Sequence, residues 1–454
     1  MAKKFIDLNN LAPITIEKDF KNWLSDDSLA RFIVEVVDQM DISGIESQYT
    51  GGGSEGYPPK MLIALIFYAY ASGIFSSRKI EKATYELIPA IFIAQGLHPD
   101  HTVISKFRKR FLKNLEALFT QILLIASEMG ILRLGEISLD GTKVKANASK
   151  HKALSYEYAC KLEDKLKKEI ATLMAKAKES DNTDLKDLDI PDEIKRREDR
   201  LKNIAKAKDT IEARRNERYQ REKQNYDEKI AASELKEKER GRKLGGKKPV
   251  APEEKPKPSD QMNLTDEESR IMPKSGGGFE QAYNAQAAVD NASMLIVENH
   301  VSQQSNDKQE LEPALKKIKE LPEELGTVDK IATDNGYKSE ANTILAAEKD
   351  IGLYVPAGRE QHNDKLSALL SKEPEMPDNP TPSESLEYRM ATKDGKAFYA
   401  LRKTTIEPTF GVIKNVMGFR CFSLRGFESV TGEWNLVCMA YNLKRLCALS
   451  LKMS

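Results

Sequence analysis

Cysteine is sparse: four residues in 454, Cys160, Cys421, Cys438 and Cys447. They form no Cys-x-x-Cys pair and no histidine stands near them at zinc spacing. A disulfide scaffold and a zinc finger are therefore excluded, and free thiols in a reducing compartment are expected. The five histidines, His98, His101, His151, His300 and His362, do not pair at metal spacing either, so structural or surface roles are expected for them. Long apolar runs are missing. The most apolar stretch, Met61 to Phe75, has 15 residues, short of the ~20 that cross a bilayer, and reads as a buried helix. The N-terminal MAKKFIDLNNLAP has no apolar core of the kind a secretory signal needs. A soluble, cytoplasmic protein with no membrane partner is the expectation. Net charge is missing too: 71 basic side chains oppose 70 acidic ones, a balance of +1. That excludes a polyanion or polycation but not a nucleic-acid partner, because local patches decide such binding.

What is present is enough apolar material for real cores: 40% hydrophobic residues, including 15 Phe and 15 Tyr. Wholesale disorder is excluded. At ~150 residues per domain the length suggests about three domains. Composition places the boundaries. Residues 151–248 hold 28 basic and 22 acidic side chains among 98 residues, too charged for a globular core of their own. Leu162, Leu166, Ile170, Leu173 and Ala177 recur at spacings of 4, 4, 3 and 4, which lines them along one helical stripe. A second helical stretch, about 192–242, carries a thinner stripe of Leu201, Ile204 and Ile211. SDNTDLKDLDIPD between them reads as a turn, with Pro191 near the next helix start. The block thus reads as an antiparallel helical hairpin followed by a Gly/Pro/Lys linker, GRKLGGKKPVAPEEKPKPSD.

Before this block, apolar periodicity predicts helices at 28–42, 59–75, 78–95 and 102–128, the last capped by Asp100 or Thr102. After it the period changes to two. Residues 279–290 and 294–303 read as a hairpin around Asn291-Ala292-Ser293. A helix at 307–321, a strand at 330–334, a helix at 339–350 and a strand at 351–356 follow. GEISLDGTKVKA (135–146) also alternates, so one strand precedes the charged block and the others follow it. The block is an insertion in an α/β domain. Residues 357–398 read as a loop excursion, and 404–451 as two helices joined by GFRCFSLRGFES.

Three carboxylates stand out by position. Asp140 lies in or at the end of a strand, Asp334 ends the run Ile331-Ala332-Thr333, and Glu407 is placed at a helix start with Pro408 in the first turn. Each alone is explained by ordinary turn chemistry. Together, in order, in a β-β-β-α-β-α-β-α frame, they suit Mg²⁺, a hard cation that takes a few carboxylate oxygens plus substrate phosphate. Two such ions ~3.5–4 Å apart can stabilise the attacking and leaving oxygens of a phosphoryl displacement. Asp290 and Asp307 are read as a turn former and an N-cap. Gly276-Gly277-Gly278 opens no helix, so a phosphate-cradling loop is not expected. Trp434 reads as core.

Four stretches carry a family resemblance: SLDGTKVKANAS around Asp140, GGGFEQAYNAQAAVD at 276–290, KIATDNGYKSEAN around Asp334, and IEPTFGVIKNVMGFRCFSLRG around Glu407 with EWNLVCMAYNLKRL after it. With the helical N-terminal part, from YPPKMLIALIFYAYASGIFSSRKIE to HPDHTVISKFRKRF, they resemble the DDE transposases of bacterial insertion sequences, in the group with a YREK-type signature. The resemblance covers nearly the whole chain. It implies an RNase H-like mixed-sheet catalytic domain (131–149 and 259–454), an all-helical N-terminal DNA-binding or assembly domain (1–130), and a helical-hairpin, coiled-coil insertion with its linker (150–258) between the first and second strands. It implies Asp140, Asp334 and Glu407 as catalytic, metal-holding residues for Mg²⁺, with Mn²⁺ fitting the same oxygens. Lys414, seven residues past Glu407, matches the signature lysine that touches DNA. Tyr399 and Arg402 keep the first signature gap, but Arg402 stands one residue too far from Glu407 and Lys403 holds the expected spacing, so either could serve. Arg420 and Arg425 are further phosphate candidates. Lys106, Arg108, Lys109, Arg110 and Lys113, with Phe107 and Phe111 on the buried face, suit a recognition-type helix or an ordinary basic face. The implied partners are the element's terminal inverted repeats and target DNA, bound by a homodimer or larger assembly at the bacterial nucleoid. A hydrolytic nuclease on the same fold and a non-catalytic DNA-binding regulator are the alternatives.

Overall fold

The computed structural model describes residues 23–49, 56–180, 190–240, 249–274, 276–356, 358 and 375–453. The N-terminal stretch 1–22, most of the turn expected inside the insertion, the first part of the linker and His362 lie outside these residues.

Among the described residues seven helices come first: α1 (Leu29–Gln39), α2 (Ser43–Glu46), α3 (Pro59–Ala71), α4 (Ser77–Glu86), α5 (Ile88–Ala94), α6 (His101–Arg110) and α7 (Leu115–Glu128). The apolar run forms α3, where Leu62 to Phe67 and Ala69 to Ala71 are all buried, as a helix apolar all round requires. The helix expected over 78–95 divides at Leu87, where the backbone is extended, and Pro89 falls in the first turn of α5, where its missing N–H costs no helical bond. The helix expected over 102–128 divides at a 3₁₀ turn, Leu112–Asn114. Asp100 is the N-cap of α6, accepting from the Thr102 amide at 2.7 Å.

The main sheet is built from β1 (Leu134–Lys145), β4 (Arg270–Pro273), β5 (Phe279–Asp290), β6 (Ile296–Ser302), β7 (Gly326–Thr333) and β8 (Gly352–Tyr354). β5 pairs antiparallel with β1 on one side and with β6 and β4 on the other. β7 pairs parallel with β1, and β8 parallel with β7. The order is therefore β6–β5–β1–β7–β8, three antiparallel strands and then two parallel additions. β5 is buried from Gln281 to Asp290, and its alanines at 282, 285, 287 and 288 let both faces be covered closely. The hairpin turn between β5 and β6 is fastened by Asp290, which accepts from the Ser293 amide at 2.7 Å and hydroxyl at 2.6 Å.

The charged block leaves the sheet after β1. A short ribbon of β2 (Ala153–Ser155) and β3 (Gln261–Asn263) closes its base, and two helices rise from it, α8 (Tyr156–Ser180) and α9 (Ile190–Arg240). They run antiparallel: Tyr156 meets Glu212 at 2.6 Å, Glu163 meets Lys208 at 2.7 Å, and Glu169 meets Arg197 at 3.0 Å. Leu166 and Ala159 bury against Ile204, Ala207 and Ile211, with Leu154 and Met262 of the ribbon beneath them. Past Arg215 no described residue of α9 is buried.

After the sheet come α10 (Leu311–Lys319) and α11 (Glu340–Glu348), then α12 (Pro382–Ala391), α13 (Lys393–Gly411) and α14 (Phe427–Met453). The loop expected over 357–398 is thus corrected for its last part. Thr381 caps α12 through a reciprocal bond with Glu384, Pro382 occupies the first turn, and Thr392 caps α13. The helix start assigned to Glu407 is corrected as well: Glu407 and Pro408 lie inside α13, fourteen and fifteen residues past its start at Lys393. α14 packs on β6 and on α1, α3 and α7, so one hydrophobic cluster runs from Ala30 through the sheet to Leu446.

Candidate active site

β1 and β7 run side by side as far as Leu139 and Thr333. There β7 ends, and β1 continues beside β5. Asp140 and Asp334 are the next residue on each strand. A parallel pair that parts in this way opens a gap at the sheet's surface, and these two carboxylates stand at its mouth. Asp334 Oδ1 accepts from the Gly336 amide at 2.8 Å and caps a 3₁₀ turn, Asn335–Tyr337, which turns the chain away from β1.

α13 crosses this point. Thr405 bonds Ser138 of β1 at 3.2 Å, and Thr409 bonds Tyr441 of α14 at 3.0 Å. Arg402 lies on the same sheet-facing side. Its guanidinium donates to Asp140 Oδ2 at 3.2 Å and to Glu407 Oε1 at 3.2 Å. Arg402 thus links Asp140 with Glu407, whereas Lys403 is on the exposed side of α13. Glu407 is half exposed (54%), against 16% for Asp140.

Charge at the site is negative and poorly hydrated. Burial raises the Asp140 carboxyl most, Arg402 pulls it back, and Asp334 and Asp307 push it up again, to about 7. Asp334 is raised as well, by burial first and by Asp307, against Arg402 and Lys143. Two nearby acids that resist ionising together are what a cation would relieve. Oxygen-only donors suit a hard divalent ion, and Arg402 holds the position of a positive charge between two of them. Among the described residues no three of these carboxylates bring oxygens within 4.8 Å of one another. Oxygens on one Mg²⁺ at 2.0–2.1 Å are at most about 4.2 Å apart. As they stand, these carboxylates do not close around a single ion.

Lys414 sits in a π-helical turn, Val412–Val416, closed by the Met417 amide on the Val412 carbonyl at 2.8 Å. The wide turn shifts Lys414 off the regular phase of α13, and its ammonium bonds Thr142 Oγ1 and, at 3.3 Å, the Lys143 carbonyl. Burial lowers its pKa. Arg420 folds back on the Lys414 carbonyl at 3.0 Å and Arg425 on the Asn147 carbonyl at 2.9 Å; both are exposed.

Two family models match this chain, the Transposase DDE domain over residues 372–447 and the Transposase domain (DUF772) over residues 18–110. These matches support a DDE-type insertion-sequence transposase. Neither curated proteins nor solved structures give a match. The first transposase match spans α12, α13 and most of α14, with Arg402, Glu407, Lys414, Arg420 and Arg425. The second spans α1 to α6. Asp140, Asp334 and the helical insertion lie outside both. Such domains act on DNA in transposition.

Among the N-terminal helices, α6 exposes Lys106, Lys109 and Arg110. Arg110 stacks over Tyr49 and bonds the Gln48 carbonyl. Lys113 pairs with Glu428 at 3.0 Å. Arg108 is a correction. It is buried, donating to the Tyr70 hydroxyl at 2.7 Å and the Phe75 carbonyl at 3.1 Å, so it serves the core and cannot face DNA. Phe107 and Phe111 are buried.

The structure adds residues that the sequence did not single out. Asn284 and Gln286 are fully buried on β5, and both donate to Asp307. The Tyr337 hydroxyl donates to Gln286 Oε1. The available signal was two amides at alternate positions, on either side of Ala285. Asp307 is also misread as an N-cap: Glu310 holds that position of α10, without a side-chain bond.

Proposed function

We propose that this transposase cuts and joins DNA by metal-dependent phosphoryl transfer, with Asp140, Asp334 and Glu407 as the metal-holding carboxylates. The observation that carries this is the placement of Asp140 and Asp334 on adjacent parallel strands where those strands part, with Glu407 tied to Asp140 through Arg402. The strand order, three antiparallel and two parallel, supports an RNase H-like catalytic unit formed by 131–149 and 259–454. Two divalent ions, Mg²⁺ or Mn²⁺, would supply an activated water or 3′-hydroxyl and a stabilised leaving oxygen.

The chain's own residues do the rest. Asp140 and Asp334 fix the cation positions on a rigid sheet. Glu407 closes on them from α13. Arg402, once its hold on Asp140 is replaced, can pair with a phosphate in two-pronged geometry. Lys414, Arg420 and Arg425 line the segment after α13 as backbone contacts, and Lys403 lies on the outer face of that helix. The helical part, 1–130, binds the inverted repeats through Lys106, Lys109 and Arg110 of α6. The 150–258 insertion serves assembly of a homodimer or larger complex through its helical pair. The protein works on DNA in the cytoplasm, at the nucleoid.

The test is Mg²⁺-dependent cleavage of DNA carrying the element's own ends, for wild type and Asp334→Ala. Wild-type cleavage with joined products, lost in the variant, is expected. Cleavage without joining would leave a nuclease. End-specific binding with no cleavage by either protein would overturn the catalytic reading and leave a regulator.

A further inference from the structure

A fourth carboxylate looks into the same gap. Asp307 lies between β6 and α10, with 17% of its side chain exposed. Its Oδ1 accepts from three donors: Asn284 Nδ2 at 2.6 Å, Gln286 Nε2 at 2.7 Å and Lys143 Nζ at 3.4 Å. Oδ2 accepts from no described residue. Both neighbouring backbones are glycine. A Cβ at Gly141 would overlap Gln286 Nε2 and lie 2.7 Å from Asp307 Oδ1. A Cβ at Gly336 would lie 3.4 Å from Asp307 Oδ2 and 2.8 Å from Asp334 Oδ1. The free oxygen of Asp307 and the Asp334 carboxylate thus converge on Gly336.

A second, independent feature points the same way. Asn284 is fully buried, and its Oδ1 has no hydrogen-bond partner among the described residues. A Cβ at Gly141 would lie 2.9 Å from that oxygen, so it too borders the gap. A buried acceptor left without a donor is costly. Three donors spent on one carboxylate oxygen hold the other in a fixed direction, the usual way a ligand is oriented.

We propose that Asp307 is a metal ligand of this transposase, its Oδ2 sharing a divalent cation with Asp334. The inference rests on the metal site proposed above and extends it from three carboxylates to four. Asn284, Gln286 and Lys143 are then positioning residues that act through Asp307.

The experiment is a Mn²⁺ titration of the full-length protein, reading free Mn²⁺ by electron paramagnetic resonance. Wild type, Asp307→Asn, Asp334→Asn and the exposed α10 variant Glu312→Gln are compared. Asparagine at 307 can still accept the three donors through its oxygen while presenting an amide to the cation. Asp307→Asn and Asp334→Asn are each expected to weaken Mn²⁺ binding by about tenfold or more, with Glu312→Gln unchanged. Wild-type affinity in Asp307→Asn, with loss in Asp334→Asn, overturns the fourth ligand and leaves the three-carboxylate site standing. No binding by wild type overturns the metal site itself. Should Asp307→Asn fail to fold, Asp307→Cys with Cd²⁺ gives a direct reading. A cadmium–thiolate absorption band above the wild-type background is expected, and its absence from folded protein overturns the proposal.

Discussion

His300 shows how single residues here depend on their charged surroundings. It lies buried on β6 between Glu298, 2.9 Å from Nδ1, and Glu310, 3.1 Å from Nε2, and the Ser302 hydroxyl donates to Glu310 at 2.6 Å. Burial alone would push the imidazole down, but the two carboxylates outweigh it and hold it up at about 9. The folded pKa exceeds the ordinary value of 6.5, so the native state binds the extra proton. The stabilisation is complete below about pH 6.5 and is lost as pH rises towards about 9. His300→Gln should cost about 3 kcal/mol in urea unfolding at pH 6, since it leaves two buried acids without their cation, and the deficit against wild type should narrow by pH 9. An unchanged deficit across that range would remove the charged imidazole from the account. The sequence supplied no metal spacing for this histidine; Glu298 stands two residues before it on the same face of β6, but Glu310 reaches it only through the approach of α10, which no local pattern shows. Asp334 was legible because it ends an apolar run, and Asp140 because it stands within a segment of alternating pattern. Asp307 was not, because an Asp shortly before a helix imitates a cap. Arg402 was ambiguous for a reason of phase: Lys403 is one helical turn from Glu407, yet Arg402 shares the sheet-facing side with Thr405 and Thr409 and reaches Glu407 by its length.

Among the elements, the longer strands, β8 and most helices follow their periodicity, within a few residues at their ends. The losses were the short β2, β3, β4 and α2, and α12 with the first half of α13, the last two hidden by a polar, Pro-containing composition although Thr381-Pro382-Ser383-Glu384 is a capping box in plain sequence. The α8–α9 pair was legible as a stripe, and its core shares no member with the main cluster. That separation has a measurable result. Leu166→Asp places a charge in the small core and should release the pair while the sheet stays intact. Hydrogen exchange should rise over 156–173 and 197–212 and remain slow in β5. Equal loss of protection in β5 would show that the insertion and the sheet unfold as one.

For the whole molecule, the sequence marks a change of composition near residue 130, but packing does not break there. α14 is shared between the sheet and the N-terminal helices. The buried Glu433 of α14 accepts from the Ser423 and Leu424 amides at 2.9 Å each and from the Tyr70 hydroxyl at 3.4 Å, and Arg108 donates to that hydroxyl. Contacts between segments more than 300 residues apart leave no local pattern to read. A chain starting at residue 131 would expose the flank of α14 that α3 and α7 cover. It should aggregate on purification, as light scattering would register. A soluble monomer with the near-ultraviolet dichroism of a packed Trp434 would contradict this.

The length of α9 bears on how the protein's size is to be measured. Fifty-one residues at 1.5 Å each make a rod of about 76 Å, and past Arg215 none of its described side chains is buried against the body. A particle with such a spar drags more solvent than a sphere of equal mass. Its elution volume on a sizing column would therefore overstate its mass, and a monomer could pass for a dimer. Stoichiometry of the free protein and of its DNA complex has to come from sedimentation equilibrium or scattered-light mass, which do not depend on friction.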